Sequence, residues 1–247
     1  MRSVLVGLVL LCLCATALAG PKERTGRRLD KRVTTHDGLP AKAVGATAAA
    51  RTEPKKRRDR SIGAPWSGRL QDPARFEGGE RLHVRRPWRT YATRTTVAFI
   101  RQAVRDVYAV HPKAHVLAIG DFSAQTGGRI TEHASHQSGR DVDLGLFYKK
   151  PPKAYPNAFV RATPATLDPG PMWTLLASLA RTADEDGGVQ MIFLDRKLGT
   201  AVYQWAVKRG ISQQHLERVF RLMRHIPKHD DHIHVRFKCR AADTRCR

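Results

Sequence analysis

Two short segments in which polar and apolar residues alternate constrain the fold of this chain most strongly. The first is Asp141-Val142-Asp143-Leu144-Gly145-Leu146 and the second is His232-Ile233-His234-Val235-Arg236-Phe237-Lys238. Successive side chains of a β-strand point to opposite faces, so each segment predicts a strand with one apolar and one polar face. If the two strands are antiparallel neighbours, the carboxylates and the imidazoles converge on one patch.

A loop just before the first segment adds a third contributor. It reads His133-Ala134-Ser135-His136-Gln137-Ser138-Gly139, and His136 lies seven positions before Asp143. This separation allows the chain to turn back and return the imidazole to the same place. Together His136, Asp143 and His234 supply two nitrogen ligands and one carboxylate oxygen, which suits zinc with a fourth position open to water.

Each motif alone is weak evidence for a metal site. A His-x-His pair on a strand is more often surface decoration or packing, and an Asp-x-Asp pair can be solvated or cap a turn. However, five of the eleven histidines fall in two short stretches, and both stretches accompany a segment with strand alternation. The joint pattern therefore favours a metal site more strongly than either half.

The remaining periodicity predicts a single folded domain, which we place at residues 64–247. Apolar residues at helical spacing predict a helix over residues 95–110. Further patterns predict helices at 171–183, 200–208 and 212–224, and strands at 116–119 and 189–194.

The first nineteen residues predict export from the cytoplasm. Arg2 precedes an apolar run over residues 4–18, and Ala17-Leu18-Ala19 then precedes Gly20. This pattern is typical of a secretory signal peptide, residues 1–19, cleaved after Ala19. A bilayer-spanning helix requires about 20 apolar residues, so no stable membrane insertion is expected after cleavage.

Residues 20–63 have the composition of a disordered basic linker. They contain thirteen Lys or Arg against five Asp or Glu, and no Phe, Trp or Tyr. Binding of nucleic acid is disfavoured because single-strand binders usually interleave aromatic residues for base stacking. We expect the linker to associate with anionic polymers of the cell envelope, an attraction that the formal net charge of +22 extends to the whole chain.

Cys239 and Cys246 are the two cysteines that remain once the signal peptide is removed. In an oxidising compartment they are expected to form a disulfide. The competing interpretation, a pair of zinc ligands, is weaker because no second Cys or His pair lies beside them at zinc-finger spacing.

At these residues the chain resembles the penicillin-insensitive murein endopeptidases, part of a superfamily with lysostaphin-type peptidases, D-Ala-D-Ala metallopeptidases and the hedgehog signalling domain. The resemblance covers most of residues 61–246 and rests on Gly120-Asp121, Gly127-Gly128-Arg129, the loop 133–139, Asp141-Val142-Asp143, the run from His229-Asp230-Asp231 to Arg236, Cys239 and Cys246. Two features depart from the pattern. Arg140 stands where an apolar residue is expected, and Asp230 and Asp231 add negative charge beside His232.

The resemblance implies an α+β fold with a small central antiparallel sheet, flanking helices and a zinc site on the sheet face. It implies His136, Asp143 and His234 as ligands of one Zn²⁺ per chain, and His229 and His232 as catalytic histidines. The implied substrate is peptidoglycan, cut at the D-alanyl to meso-diaminopimelate cross-link. The expected location is the periplasm, with extracellular release as an alternative.

Zinc lowers the pKa of a bound water to about 7, and His232, on the same strand face as His234, is the candidate that moves its proton. His229 is the candidate that stabilises the oxyanion, and the two histidines can exchange roles. His133 and Asp141 can orient metal ligands or serve the local structure. Arg129 and Arg236 can receive substrate carboxylates or remain solvated.

A function of a different class remains open. The same scaffold can serve as a non-catalytic zinc-binding module that recognises cell-envelope polymer, because a fold does not determine an activity.

Overall fold

The computed structural model of this protein describes residues 58–247, all within one compact unit. The expected signal peptide and residues 20–57 of the expected basic linker lie outside the described residues. The last residues assigned to the linker, however, belong to the folded domain. The first strand begins at Arg60 and pairs with the next strand from Arg60 to Ala64.

Along the described chain, five short strands precede the first α-helix, and three more α-helices and five strands follow it. The elements in chain order are β1 Arg60–Ala64, β2 Ser67–Gln71, β3 Ala74–Arg75, β4 Leu82–Val84, β5 Tyr91–Ala92, α1 Arg94–Val110, β6 Leu117–Ile119, β7 Asp141–Gly145, α2 Pro169–Arg181, β8 Val189–Phe193, α3 Arg196–Lys208, α4 Gln213–Phe220, β9 Met223–Arg224 and β10 His232–Phe237. Short 3-10 helices occupy Pro87–Arg89 and Thr182–Asp184. The expectation of an α+β fold agrees with this architecture.

The central sheet has six strands in the order β4-β6-β7-β10-β8-β9 and is mixed. Its three inner pairings are antiparallel, as expected, but both edge strands, β4 and β9, pair in parallel with their neighbours. The expectation of a purely antiparallel sheet was therefore wrong at the edges. Parallel neighbours need a crossover connection, which α1 provides between β4 and β6, and α3 with α4 between β8 and β9.

The two alternating segments form the adjacent antiparallel strands β7 and β10. Their register places His234 opposite Asp143 and Arg236 opposite Asp141. The apolar face of this pair is completely buried, with Val142, Leu144, Ile233, Val235 and Phe237 all at 0% exposure. The two segments are thus the antiparallel neighbours that the convergence of carboxylates and imidazoles requires, and a slip by one residue would expose these apolar side chains.

Helices α1 and α2 lie on the apolar side of the sheet, where the ring of Phe99 in α1 contacts Phe237. Thr93 caps α1 by accepting a hydrogen bond from the amide of Thr96, and Asp168 caps α2 ahead of Pro169. The helix predicted at 212–224 is shorter. It ends at Phe220, and Met223 and Arg224 pair with β8 as the edge strand β9.

The β1–β2 hairpin packs over the loop that precedes β7. The amide of Gln137 donates to the carbonyl of Pro65, and the amide of Gly128 donates to the carbonyls of Gly68 and Gln137. Gly127 has φ +69°, and a Cβ there would lie 2.3 Å from the carbonyl oxygen of Gln137. Glycine is therefore required at this crossing of the two segments.

The C-terminal segment attaches to the same hairpin. The structure contains a Cys239–Cys246 disulfide with an S–S distance of 2.06 Å, and the amide of Gly63 donates to the carbonyl of Arg245. Arg140, unexpected in the sequence pattern, is buried between them and donates to Ser61 and to the carbonyls of Phe237 and Arg247. None of the described helices is long and apolar enough to cross a bilayer.

Candidate metal centre

Three side chains from the loop, β7 and β10 bring potential metal donors together on the polar face of the sheet. The Nε2 atom of His136 lies 3.3 Å from Oδ1 of Asp143 and 3.2 Å from Nδ1 of His234. The Nδ1 atom of His234 lies 3.1 Å from Oδ1 of Asp143. The structure thus brings together the three residues that the sequence predicts as metal ligands.

The backbone around His136 holds its ring in place. His136 is fully buried with φ +67°, a left-handed conformation that is uncommon for a residue with a side chain. Its amide donates to Oδ2 of Asp141, and its Nδ1 donates to the carbonyl of Phe122 at 2.7 Å. Because Nδ1 carries the hydrogen, Nε2 presents its lone pair to the centre.

Asp141 lies on the side of His234 opposite to Asp143, within ion-pair distance of a buried ring nitrogen that has no hydrogen-bond partner among the described residues. The Nε2 atom of His234 lies 3.2 Å from Oδ1 of Asp141, and Arg236 holds that carboxylate through Nε at 2.7 Å and NH2 at 3.2 Å. Burial lowers the pKa of His234, but the two flanking aspartates outweigh burial and raise it to about 9. Burial raises the pKa of Asp141, but the contacts with His234 and Arg236 outweigh it and keep the net pKa well below the usual value.

The donor set fits a divalent cation. Asp143 is 1% exposed, and its Oδ1, the atom that faces both imidazoles, has no hydrogen-bond partner. Buried charges in proteins are normally paired or bound to metal. Donors bound tetrahedrally to zinc at about 2.0–2.1 Å are themselves about 3.3–3.4 Å apart, close to the separations observed here.

His133 lies beside this set but is held by a different carboxylate. Its Nε2 is 2.9 Å from Oδ2 of Asp121, and its Nδ1 is 3.7 Å from Oδ2 of Asp143. Donor atoms of His133, His136 and Asp143 all lie within 4.8 Å of one another. The shorter distances to His234 make His136, Asp143 and His234 the tighter group, and His133 is a neighbour held by Asp121.

The two candidate catalytic histidines lie along the same rim. Nδ1 of His232 is 2.5 Å from Oδ1 of Asp231, and its Nε2 is 3.8 Å from Oδ1 of Asp143. Burial lowers the pKa of His232, but Asp231 outweighs burial and the net pKa is raised. The ring of His229 lies 4.9 Å from that of His232, and burial together with the charge of His232 lowers the pKa of His229.

A cleft of about 280 Å³ opens over Asp143 and His232. Arg85, Arg86 and Phe159, to which the sequence assigned no role, form part of its lining. The phenyl ring of Phe159 stacks on His232 with the centroids 5.0 Å apart. Arg85 and Arg86 directly follow β4, but three residues are too few for a readable alternation, so no sequence signal marked them.

The two arginines proposed to receive carboxylates lie elsewhere. Arg236 already pairs with Asp141, so its guanidinium contacts the residue beside His234 and is not left unpaired for a ligand. Arg129 is exposed, and it takes no part in the hydrogen bonds and ion pairs of His136, Asp143 and His234 described above.

Sequence comparisons show which known proteins this chain resembles. A sequence model of the family described as penicillin-insensitive murein endopeptidase matches residues 71–247. Curated proteins with that name include one from Yersinia pestis bv. Antiqua (strain Antiqua), 32% identical over 136 residues, which cover 52% of this chain and 47% of the relative. One from Klebsiella pneumoniae subsp. pneumoniae is 30% identical over 149 residues, 56% of this chain and 51% of the relative. The chain spans about half the length of the curated relatives that it matches.

Proposed function

The chain belongs to the penicillin-insensitive murein endopeptidase family, and on that premise we propose that it is a zinc-dependent peptidase that hydrolyses peptidoglycan at D-alanyl to meso-diaminopimelate cross-links. The observation that carries the metal dependence is the convergence of two imidazole nitrogens on a buried carboxylate oxygen that has no hydrogen-bond partner. A peptidase needs both a water activator and a proton carrier, and the residues around this centre supply candidates for each.

His136, Asp143 and His234 would hold the ion. When bound, zinc lowers the pKa of a coordinated water to about 7 and can polarise a scissile carbonyl. The role of the protein is to keep the three donor atoms in position, and Asp141 contributes by holding His234 and the amide of His136. Arg236 in turn balances the charge of Asp141.

His232 is oriented for proton transfer. Asp231 accepts a hydrogen bond from Nδ1, so the ring presents Nε2 towards Asp143 and the cleft. A base held by a carboxylate in this way recurs in hydrolases, because the carboxylate fixes the tautomer and stabilises the protonated ring. We assign His232 the proton that is delivered to the leaving amine.

The contacts of His229 favour a proton-accepting role. Its Nδ1 is 3.3 Å from the carbonyl of Pro227, which places the hydrogen of the neutral ring on Nδ1. Donation from Nε2 to an oxyanion would require the protonated ring, which the lowered pKa disfavours. We therefore propose that His229 accepts the proton of the attacking water, while His232 remains the donor to the leaving amine.

The proposed location is the periplasm, which the chain would reach through the signal peptide at residues 1–19. Release to the outside of the cell is the alternative. The Cys239–Cys246 disulfide is compatible with an oxidising compartment. The proposed partners are peptidoglycan and, through the basic linker, anionic envelope polymers.

Digestion of purified cross-linked muropeptide dimers, with and without a chelator, tests the proposal. Release of monomers that stops on chelation and returns with added zinc is the expected result. Hydrolysis that is indifferent to chelation would remove the metal from the mechanism. Tight binding of dimers without release of monomers would support the non-catalytic module instead.

A further inference from the structure

Arg85 occupies an unusual electrostatic position in the cleft. Its neighbours Arg86 and Arg89 both pair with Asp121, at 2.9 and 3.0 Å, and Arg86 also pairs with Glu132 at 2.7 Å. The hydrogen bond recorded for the side chain of Arg85 runs from Nε to the backbone carbonyl of Asn157 at 3.3 Å. Among the described residues, no carboxylate forms an ion pair with Arg85, and its two terminal nitrogens have no hydrogen-bond partner.

The position of Arg85 is nevertheless well defined. Its amide donates to the carbonyl of Ile119 at 3.0 Å, which continues the β4–β6 pairing past the end of β4. Its guanidinium lies 4.1 Å from the centroid of the Phe159 ring. Gly120 makes room for that ring, because a Cβ there would lie 2.5 Å from Cζ of Phe159.

Phe159 lies against both Arg85 and His232. The same phenyl ring contacts the guanidinium and stacks on the imidazole of His232. The acidic side chains that line the cleft have other partners: Asp121 and Glu132 pair with arginines, Asp231 with His232, and Asp143 with the imidazoles of the metal centre. Of the two arginines that line the cleft in the described part of the chain, Arg86 is paired with carboxylates and Arg85 is available to a ligand.

We propose that Arg85 forms a carboxylate-binding subsite of the cleft, and that it receives the free carboxylate on the carbon bonded to the scissile nitrogen. The inference rests on the proposed function. A guanidinium with free terminal N–H groups forms a two-pronged pair with a carboxylate. Arg85 lines the same cleft as His232, the proposed proton donor of the leaving amine, so a carboxylate one carbon from that amine would enter the part of the cleft that Arg85 lines. The substrate class is thus a peptide cross-link whose amine-donating residue keeps a free α-carboxylate.

The test compares two cross-linked dimers that differ only at this carboxylate, which is free in one and converted to the primary amide in the other. We expect the wild type to have a kcat/KM roughly 10- to 100-fold higher for the free carboxylate, the range for a charge-assisted hydrogen bond. Arg85→Gln should lower kcat/KM for the free carboxylate by a similar factor and leave that for the amide nearly unchanged. Arg85→Lys, which keeps the positive charge but lacks the paired N–H donors of a guanidinium, should retain part of the preference for the free carboxylate.

Arg105→Gln is the matched control, since Arg105 is an exposed arginine of α1 and its loss changes the net charge equally. Zinc content and melting temperature, measured on each variant, should match the wild type. A wild-type ratio near one overturns the subsite, and this result stands even if Arg85→Gln does not fold. Equal losses on both substrates also overturn it, because they show that Arg85 acts only by supporting Phe159 and His232. Failure of the wild type to cleave either dimer refutes the proposed function rather than the subsite.

Discussion

At the scale of single residues, Asp143 is the side chain that most needs an explanation. It is buried, and one of its oxygens has no hydrogen-bond partner although it lies 3.1–3.3 Å from two imidazole nitrogens. A buried carboxylate oxygen without a hydrogen bond is costly, so a bound cation is the simplest way to satisfy this group. This reasoning separates residues that hold the ion from residues that act on the substrate.

The first prediction tests this distinction between residues that hold the ion and residues that act on the substrate. Asp143→Ala should lose bound zinc and peptidase activity together, whereas His232→Ala should retain zinc and lose activity by roughly 10²- to 10⁴-fold, the usual contribution of a general acid or base. Elemental analysis after dialysis and muropeptide release measure the two properties. His215→Ala, at an exposed histidine of α4, should change neither. Full zinc content in Asp143→Ala would contradict the ligand assignment.

The second prediction concerns Asp141, which contacts the centre without belonging to the donor group. Asp141→Asn should weaken the pair with Arg236 and the support of His234, and lower zinc affinity by roughly 10- to 100-fold. Titration against a competing chelator measures the change. Asp106→Asn removes an aspartate that pairs with Arg181 on the helical side and should leave the affinity unchanged. Equal affinities in both variants would limit Asp141 to a structural role.

At the scale of elements, strand and helix periodicity predicted most of the core. The helix expected at 95–110 is α1, and the strands expected at 116–119 and 189–194 are β6 and β8. The sequence did not reveal β4, β9 and the β1–β2 hairpin. These strands are too short or too exposed to show a period, and they exist because a neighbouring strand offers unpaired backbone groups.

The third prediction belongs to the junction of hairpin, sheet and C-terminal segment. Arg140→Leu should destabilise the protein by about 2–4 kcal/mol, because the buried carbonyl of Phe237 and the partly buried oxygen of Arg247 lose their donor. Urea denaturation measures the difference in the free energy of unfolding. Arg105→Leu, at an exposed position of α1, should remain within about 0.5 kcal/mol of the wild type. A similarly small change for Arg140→Leu would show that these hydrogen bonds contribute little to stability.

At the scale of the whole molecule, charge dominates the expected behaviour. The formal net charge is +22, and residues 20–57 contribute eleven Lys or Arg against four Asp or Glu. Attraction of this kind acts on any polyanion and is screened by salt. The basic segment is therefore expected to affect attachment to the substrate polymer more than the chemistry of cleavage.

The fourth prediction follows from this division. Deletion of residues 20–57, which leaves β1 intact, should weaken binding to isolated sacculi at low salt and leave cleavage of small soluble cross-linked fragments nearly unchanged. Sedimentation with sacculi measures attachment. The difference should shrink in 1 M salt, where the Debye length is about 3 Å. Equal attachment of the two proteins at low salt would rule out the proposed role of the linker.

The sequence by itself determined which side chains of β7 and β10 are buried and which face the ligand loop, because apolar and polar residues alternate along both strands. That the two strands are antiparallel neighbours was a condition that only the structure met. The sequence also indicated the donors, since residue types limit metal chemistry. Only the tertiary structure decided that Arg236 forms an ion pair with Asp141, whereas Arg85 forms none among the described residues. It also decided that the ring of Phe159 contacts both Arg85 and His232. The availability of a charge depends on neighbours that are distant in sequence, and local periodicity carries no information about them.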